Sequence, residues 1–211
     1  MSGILELFNT PMGEELLKGV ARETGQPKNK TADVLGMALP LLMGAMKKNV
    51  QSPQGAEGLL NALSSQHTGS ILDDLSGLFG GGVDSSIKED GAGILGHILG
   101  SRQPVVENEL SNRSGISPAA IADMLKIAAP VIMGMLGRQR AQSNISSGSD
   151  LNTMLGSLLG GQPRQNQDLI TSLIDSDGDG SVLDDVSDIV LGGGSGKQGG
   201  LGDILGGLFG K

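Results

Sequence analysis

Five carboxylates fall within eleven residues towards the C-terminal end of the chain: Asp175, Asp177, Asp179, Asp184 and Asp185, with Gly180-Ser181 between them. Alternate aspartates followed by Gly-Ser form the front half of an EF-hand-type calcium loop. With Asp175 as position 1, Asp177 and Asp179 fall at 3 and 5, Gly180 at the sharp turn and Ser181 at the backbone-carbonyl position. Hard oxygen donors in this order suit calcium before magnesium or a transition metal. Position 12, where a bidentate Glu would close the shell, is Val186. Asp184 and Asp185 are the available substitutes, and a tighter loop closing on Asp185 is expected. Without an ion, each close carboxylate pair repels by about 1 kcal/mol even in water. The alternative for the three leading aspartates is a solvated acidic turn.

A sibling of this stretch lies earlier in the chain. Gly69-Ser70-Ile71-Leu72-Asp73-Asp74-Leu75-Ser76 parallels Gly180-Ser181-Val182-Leu183-Asp184-Asp185-Val186-Ser187, but Ser64, Gln66 and Thr68 stand where the second copy has aspartates. The Asp-Asp pair therefore persists without a metal loop. Its other use is helix capping, with Ser as N-cap and acidic side chains in the first turn. Capping is also the alternative for Asp184 and Asp185.

The loop needs flanking helices. Leu169, Ile170, Leu173 and Ile174 predict one before it; Val182, Leu183, Val186, Ile189 and Val190 predict one after it, stopped by Gly192. Further back, Leu16, Leu17, Val20 and Ala21 have helical spacing over residues 14–24, with Glu14 and Glu15 at the dipole's positive end and Gly25 as a stop. A second helix starts near Thr31 and runs through the apolar residues 37–46. Pro40 is expected to kink it or start a new segment, and Lys47 and Lys48 complement its C-terminus. That run has no polar face and should be buried on nearly all sides.

Ninety positions on, from Asp33 to Asp123, the same text returns without a gap: Gly25, Ala32, Asp33, Leu35, Ala38, Pro40, Met43 and Gly44 match Gly115, Ala122, Asp123, Leu125, Ala128, Pro130, Met133 and Gly134. Ser117-Pro118 supplies an N-cap and a first-position proline. This reads as a duplicated helical unit whose two Pro-kinked helices pack together in one core. A shorter pattern recurs in Ile94-Leu95-Gly96-His97-Ile98-Leu99-Gly100, in residues 154–160 and 204–210, and more loosely in residues 74–80. Each copy predicts a one- to two-turn helix stopped by Gly. Polar or glycine-rich connectors are expected at residues 49–57, 80–91, 140–150 and 192–200, the last a flexible linker by composition.

Residues 91–136, with the Ile94 to Gly100 pattern, then Ser114-Gly115-Ile116-Ser117 and Ala129-Pro130-Val131-Ile132-Met133, resemble the bacterial domain of unknown function 937, a family related to the YidB-like proteins. The resemblance covers most of residues 1–160. It implies an all-helical fold described as homeodomain-like and an Asp-rich loop ending in Gly-Ser-Val-x-Asp-Asp, as here. It implies no activity. Homeodomain-likeness is a fold analogy and carries no DNA-binding claim.

Composition narrows the function classes. None of the 211 residues is Cys, which removes disulfides, thiolate catalysis and cysteine-ligated zinc. A net charge of −8 opposes electrostatic nucleic-acid binding, and with three Phe as the only aromatics there is no base-stacking platform. A nucleic-acid binder would need a basic face built from Lys28, Lys30, Lys47 and Lys48, or from Arg138 and Arg140. His67 and His97 are the only histidines; His97 reads as a surface or half-buried residue, since Ser157, Gly207 and Gly77 occupy its place in the other copies. No Gly-x-Ser-x-Gly occurs, and residues 192–198 fail as a phosphate loop because Leu191 holds the first Gly position and Gln198 the Ser/Thr position. The N-terminus lacks the form of a secretory signal, and the apolar runs at residues 37–46 and 127–136 are short for a bilayer. A soluble, cytoplasmic protein without a membrane span is expected.

The expectation is thus an all-α chain. Residues 1–82 and 83–161 form two helical repeats, 162–194 a helix-loop-helix around the Asp loop, and 195–211 a Gly-rich linker and tail. The tail's apolar stripe, Leu201, Ile204, Leu205, Leu208 and Phe209, either folds back on its own domain or docks on a neighbouring copy to give a homo-oligomer. The leading function is non-enzymatic, with structurally bound Ca2+; the alternative is a homeodomain-like nucleic-acid binder.

Overall fold

The computed structural model describes residues 9–159. Among these residues the chain forms eight α-helices and no strand. Helix α1, Pro11–Thr24, begins three residues before the expected start because Thr10 and Pro11 are a capping pair. The Thr10 hydroxyl accepts the Gly13 N–H at 3.1 Å, and proline occupies a position whose N–H has no helical partner anyway. Gly25 ends the helix at φ 65°, and its N–H donates to the Arg22 carbonyl at 3.3 Å.

Helix α2, Lys28–Asn49, is the first apolar element and is buried without interruption over residues 38–46. Its one fully buried polar side chain, Thr31, donates its hydroxyl to the Pro27 carbonyl at 3.1 Å. Pro40 starts no new segment, since the helix continues through it. A missing N–H in mid-helix is tolerated there because packing on every side, rather than the hydrogen-bond ladder alone, holds the backbone.

Three expected connectors, 49–57, 80–91 and 140–150, are partly helical. Ser52 accepts the Gly55 N–H at 3.0 Å and starts α3, Pro53–Asn61, inside the stretch expected to be irregular. A π-helical turn, Ala62–Gln66, continues it, and a 3-10 turn follows at Ser70–Leu72. After the short α4, Leu75–Gly80, Asp84 accepts the Ser86 N–H at 2.8 Å and starts α5, Ser85–Leu99. That N–H holds the Asp84 carboxyl below the usual carboxylate range. The Ile94 to Gly100 pattern is therefore the end of a longer helix rather than a short one of its own.

Helix α6, Gln103–Ser114, ends at Gly115 with φ 69°, and α7, Pro118–Gln142, starts at Ser117, whose hydroxyl accepts the Ala120 N–H at 3.3 Å. Like α2, α7 runs unbroken through its proline, Pro130. Helix α8, Gly148–Leu159, contains most of the third copy of the short pattern and buries Leu151, Met154 and Leu155.

Helices from both halves share one core. Helix α7 packs against α1, α5 and α6, while α2 packs against α1, α5, α6, α7 and α8. Glycine permits the closest approaches. A Cβ on Gly91 of α5 would collide with the Lys126 carbonyl of α7, and one on Gly19 of α1 would collide with the ring of Phe79 from α4. Helix α7 corrects the run-length argument made from the sequence: as a 25-residue helix it is long and apolar enough to cross a membrane. Two-thirds of its most apolar window, 67%, is nevertheless buried within the bundle, as a core helix requires.

Candidate functional site

The ligand candidates Asp175, Asp177, Asp179, Ser181, Asp184 and Asp185, and the tail residues Leu201, Ile204, Leu205, Leu208 and Phe209, lie outside the described residues. Their sibling, which has Ser64, Gln66 and Thr68 in place of the leading aspartates, lies inside, and its geometry separates the two adjacent aspartates. Gly69 turns the chain at φ 107°, a conformation glycine adopts without cost. The Leu72 N–H then donates to the Gly69 carbonyl at 3.0 Å, and the Asp73 N–H to the Ser70 carbonyl at 3.0 Å. This tight turn delays the helix. Ser70, the expected N-cap, makes no capping bond; Asp74 caps α4 instead, accepting the Gly77 N–H at 2.7 Å and the Ser76 hydroxyl at 3.2 Å.

Asp73 points elsewhere. The Arg138 guanidinium of α7 donates to the Asp73 carboxylate and, at 3.0 Å, to the Gly69 carbonyl. A cation from the other half of the chain thus bridges the turn glycine's carbonyl and the first aspartate of the pair. Nothing in the local sequence announces this bond, because its partner stands 65 residues away.

A groove of about 670 Å³ opens between α3 with its π-helical turn on one side and α5 on the other. Gly55, Gly58 and Leu59 line the first wall; Asp90, Gly93 and His97, at helical spacing, line the second. Met46 of α2 and Met133 of α7 lie at its base. The π-helical turn forms where the chain presses on α7: a Cβ on Gly137 would collide with the His67 carbonyl. His67 is thereby held 3.8 Å, Nε2 to Oδ1, from Asp90, with 9% of its side chain exposed against 43% for the aspartate. The contact is an ion pair only when the imidazole is protonated. His97 is exposed in the groove, as its place in the short pattern suggested. The Asn49 amide fixes the end of α5 by donating to the carbonyls of His97 and Ile98 at 3.1 and 3.3 Å. Sequence reading missed the groove, whose walls come from segments far apart in the chain.

The cationic side chains considered for a nucleic-acid face are dispersed. Lys28 and Lys48 begin and end α2, roughly 30 Å apart at 1.5 Å per residue. Lys28 lies 3.8 Å from Glu14, which is also 3.2 Å from Lys18, and Arg138 is engaged with Asp73. The Glu14 carboxyl is held low chiefly by the Lys18 hydrogen bond, then by the Lys28 charge. Among the described residues no three His, Cys, Asp or Glu side chains converge as a metal site would require.

No curated protein and no solved structure matches the chain. The model of one family, the bacterial protein of unknown function DUF937, matches residues 6–139 and 142–211. Its span takes in the helical core, the Asp-rich loop and the tail, and by that match the chain belongs to the DUF937 family.

Proposed function

We propose that this protein is a non-enzymatic helical assembly unit that arose by internal duplication, binds Ca2+ as a structural clasp, and joins copies through its C-terminal apolar segment. The duplication reading is supported by the matching helix boundaries: Gly25 and Gly115 both adopt positive φ, and the buried helices that follow carry Pro40 and Pro130 at the same offset.

The observation that carries the calcium reading is the sibling loop. There a guanidinium bridges the Gly69 carbonyl and Asp73 while Asp74 caps the next helix. In the second copy, Asp175, Asp177 and Asp179 replace Ser64, Gln66 and Thr68, adding carboxylates where the first copy has neutral side chains. A divalent cation offsets that charge in the role the guanidinium has in the first loop. In this register Asp184 is the counterpart of Asp73 and Asp185 that of Asp74, so the reading assigns the ion to Asp184 and the capping role to Asp185, the reverse of the closing residue expected from spacing. Ser181 supplies its backbone carbonyl. The incomplete closing position suits a structural clasp better than a calcium sensor.

Calorimetry and thermal melting with calcium test the clasp. We expect binding heat and a raised melting temperature, because an ion that binds only the folded form must stabilise it. Asp177→Asn should abolish both effects, Asp184→Asn should weaken binding, and Asp185→Asn should leave binding largely intact. Absence of heat and of any melting shift at millimolar calcium would sink the reading.

A further inference from the structure

We propose that the groove between α3 and α5 receives the C-terminal apolar segment of a second copy, with Leu205, Leu208 and Phe209 as the inserted side chains. The inference rests on the self-assembly reading above and names its acceptor surface. Its starting point is the short Leu-Gly pattern. Within the described residues, the copies of this pattern bury most of their apolar side chains: Leu75 and Phe79 of α4, Ile94, Leu95, Ile98 and Leu99 of α5, and Met154 and Leu155 of α8 are buried, and Leu78, Leu158 and Leu159 are half-buried. The copy at residues 204–210 brings the same requirement, and it aligns Phe209 with Phe79. Phe79 shows the kind of seat such a residue takes, since its ring lies directly on the bare backbone of Gly19 in a helix face.

The groove offers two seats of this kind. Gly58 on one wall and Gly93 on the other are exposed helix residues, and nothing lies within 4 Å of where a Cβ would stand on either. The buried glycines of the core differ: Gly91, Gly134 and Gly137 each face a close neighbour. An apolar base of Met46 and Met133 lies below. Asp90 is the one carboxylate among the lining residues; Lys211, two positions after Phe209, is the one cation of residues 201–211, and their one anion, Asp203, stands before the inserted side chains.

Chain length is sufficient. Fifty-two residues follow Leu159, from 160 to 211, and those at 192–200 are mostly Gly with Ser, Lys and Gln, a composition suited to reaching another molecule. A segment-in-groove contact is heterologous. Each copy that fills a neighbour's groove keeps its own groove open, so assembly grows with concentration unless a ring closes.

The test is light scattering of the full chain over a concentration series, comparing the wild type with Gly93→Leu, Gly58→Leu and Phe209→Asp. Leucine is a better helix former than glycine, so the groove variants should melt at or above the wild-type temperature. We expect the wild-type mass to rise with concentration and all three variants to associate on the order of tenfold more weakly or worse. Loss of association in Phe209→Asp with wild-type association in both groove variants would overturn the acceptor and leave self-assembly standing. A wild type with the mass of one chain throughout would overturn both.

Discussion

Glu23 of α1 accepts a hydrogen bond of 2.7 Å from Lys88 of α5 and a second, of 3.2 Å, from the Val83 N–H. Together they fasten the first helix to the start of the second half of the chain, and the Glu23 side chain is 21% exposed. The Lys88 hydrogen bond is the main cause of a carboxyl held below its ordinary value of 4.5; burial opposes the shift and the Val83 N–H adds to it. A carboxylate depressed in the folded state stabilises the fold above its unfolded pKa. That contribution is lost as the pH falls from 4.5 through the lower folded value.

Replacing Glu23 by Gln should therefore cost about 1 kcal/mol at neutral pH, in the range of a partly exposed charged hydrogen bond. The variant should also lose less stability on acidification than the wild type. Urea denaturation of both proteins at pH 7 and pH 3 measures the difference. Equal acid losses in the two would remove the Glu23–Lys88 pair from the account of acid sensitivity.

Glycine substitutions should split by what covers them. Gly19→Ala gains helix propensity but drives a methyl into the Phe79 ring, and a net loss of about 1–3 kcal/mol is expected from the overpacking. Gly96→Ala, in an exposed position of α5 with nothing within 4 Å, should gain roughly 0.5–1 kcal/mol. Thermal melts of the two variants should shift in opposite directions.

The two adjacent aspartates of the first loop should differ as their partners do. Asp74→Ala removes the cap of α4 and should cost about 1 kcal/mol. Asp73→Ala removes an exposed ion pair with Arg138 and should cost no more than roughly half of that. Denaturant midpoints for the two variants would rank them, and the reverse order would contradict the division of roles.

How far the sequence could be read follows from how local each determinant is. The Gly25 stop, the Ser117-Pro118 start and the buried stretches around Pro40 and Pro130 are set by neighbouring residues, and all were legible. The Ser52-Pro53 start of α3 was equally local, but a polar, glycine-containing stretch masked it. Helix α6 buries only Val106 and Leu110, too sparse a pattern to announce a helix. Ser70 was the wrong cap because Gly69 bends the chain into a 3-10 turn before the helix can begin. The Arg138–Asp73 bridge and the groove between α3 and α5 depend on contacts across the fold, so no stretch of sequence could display them. The six candidate ligands around Asp175 rest on spacing alone.

The prolines at the centre of α2 and α7 carry a consequence for how the molecule opens. A mid-helix proline costs an isolated helix about 3 kcal/mol, so neither segment is a helix of any persistence by itself. Each is helical because its neighbours are in place, and the two lie against one another. Their amide protons should then exchange with solvent at a common, slowest rate, as a single cooperative unit, while the termini of α3 and α8 exchange earlier. The segments least able to form alone would be the last to come apart.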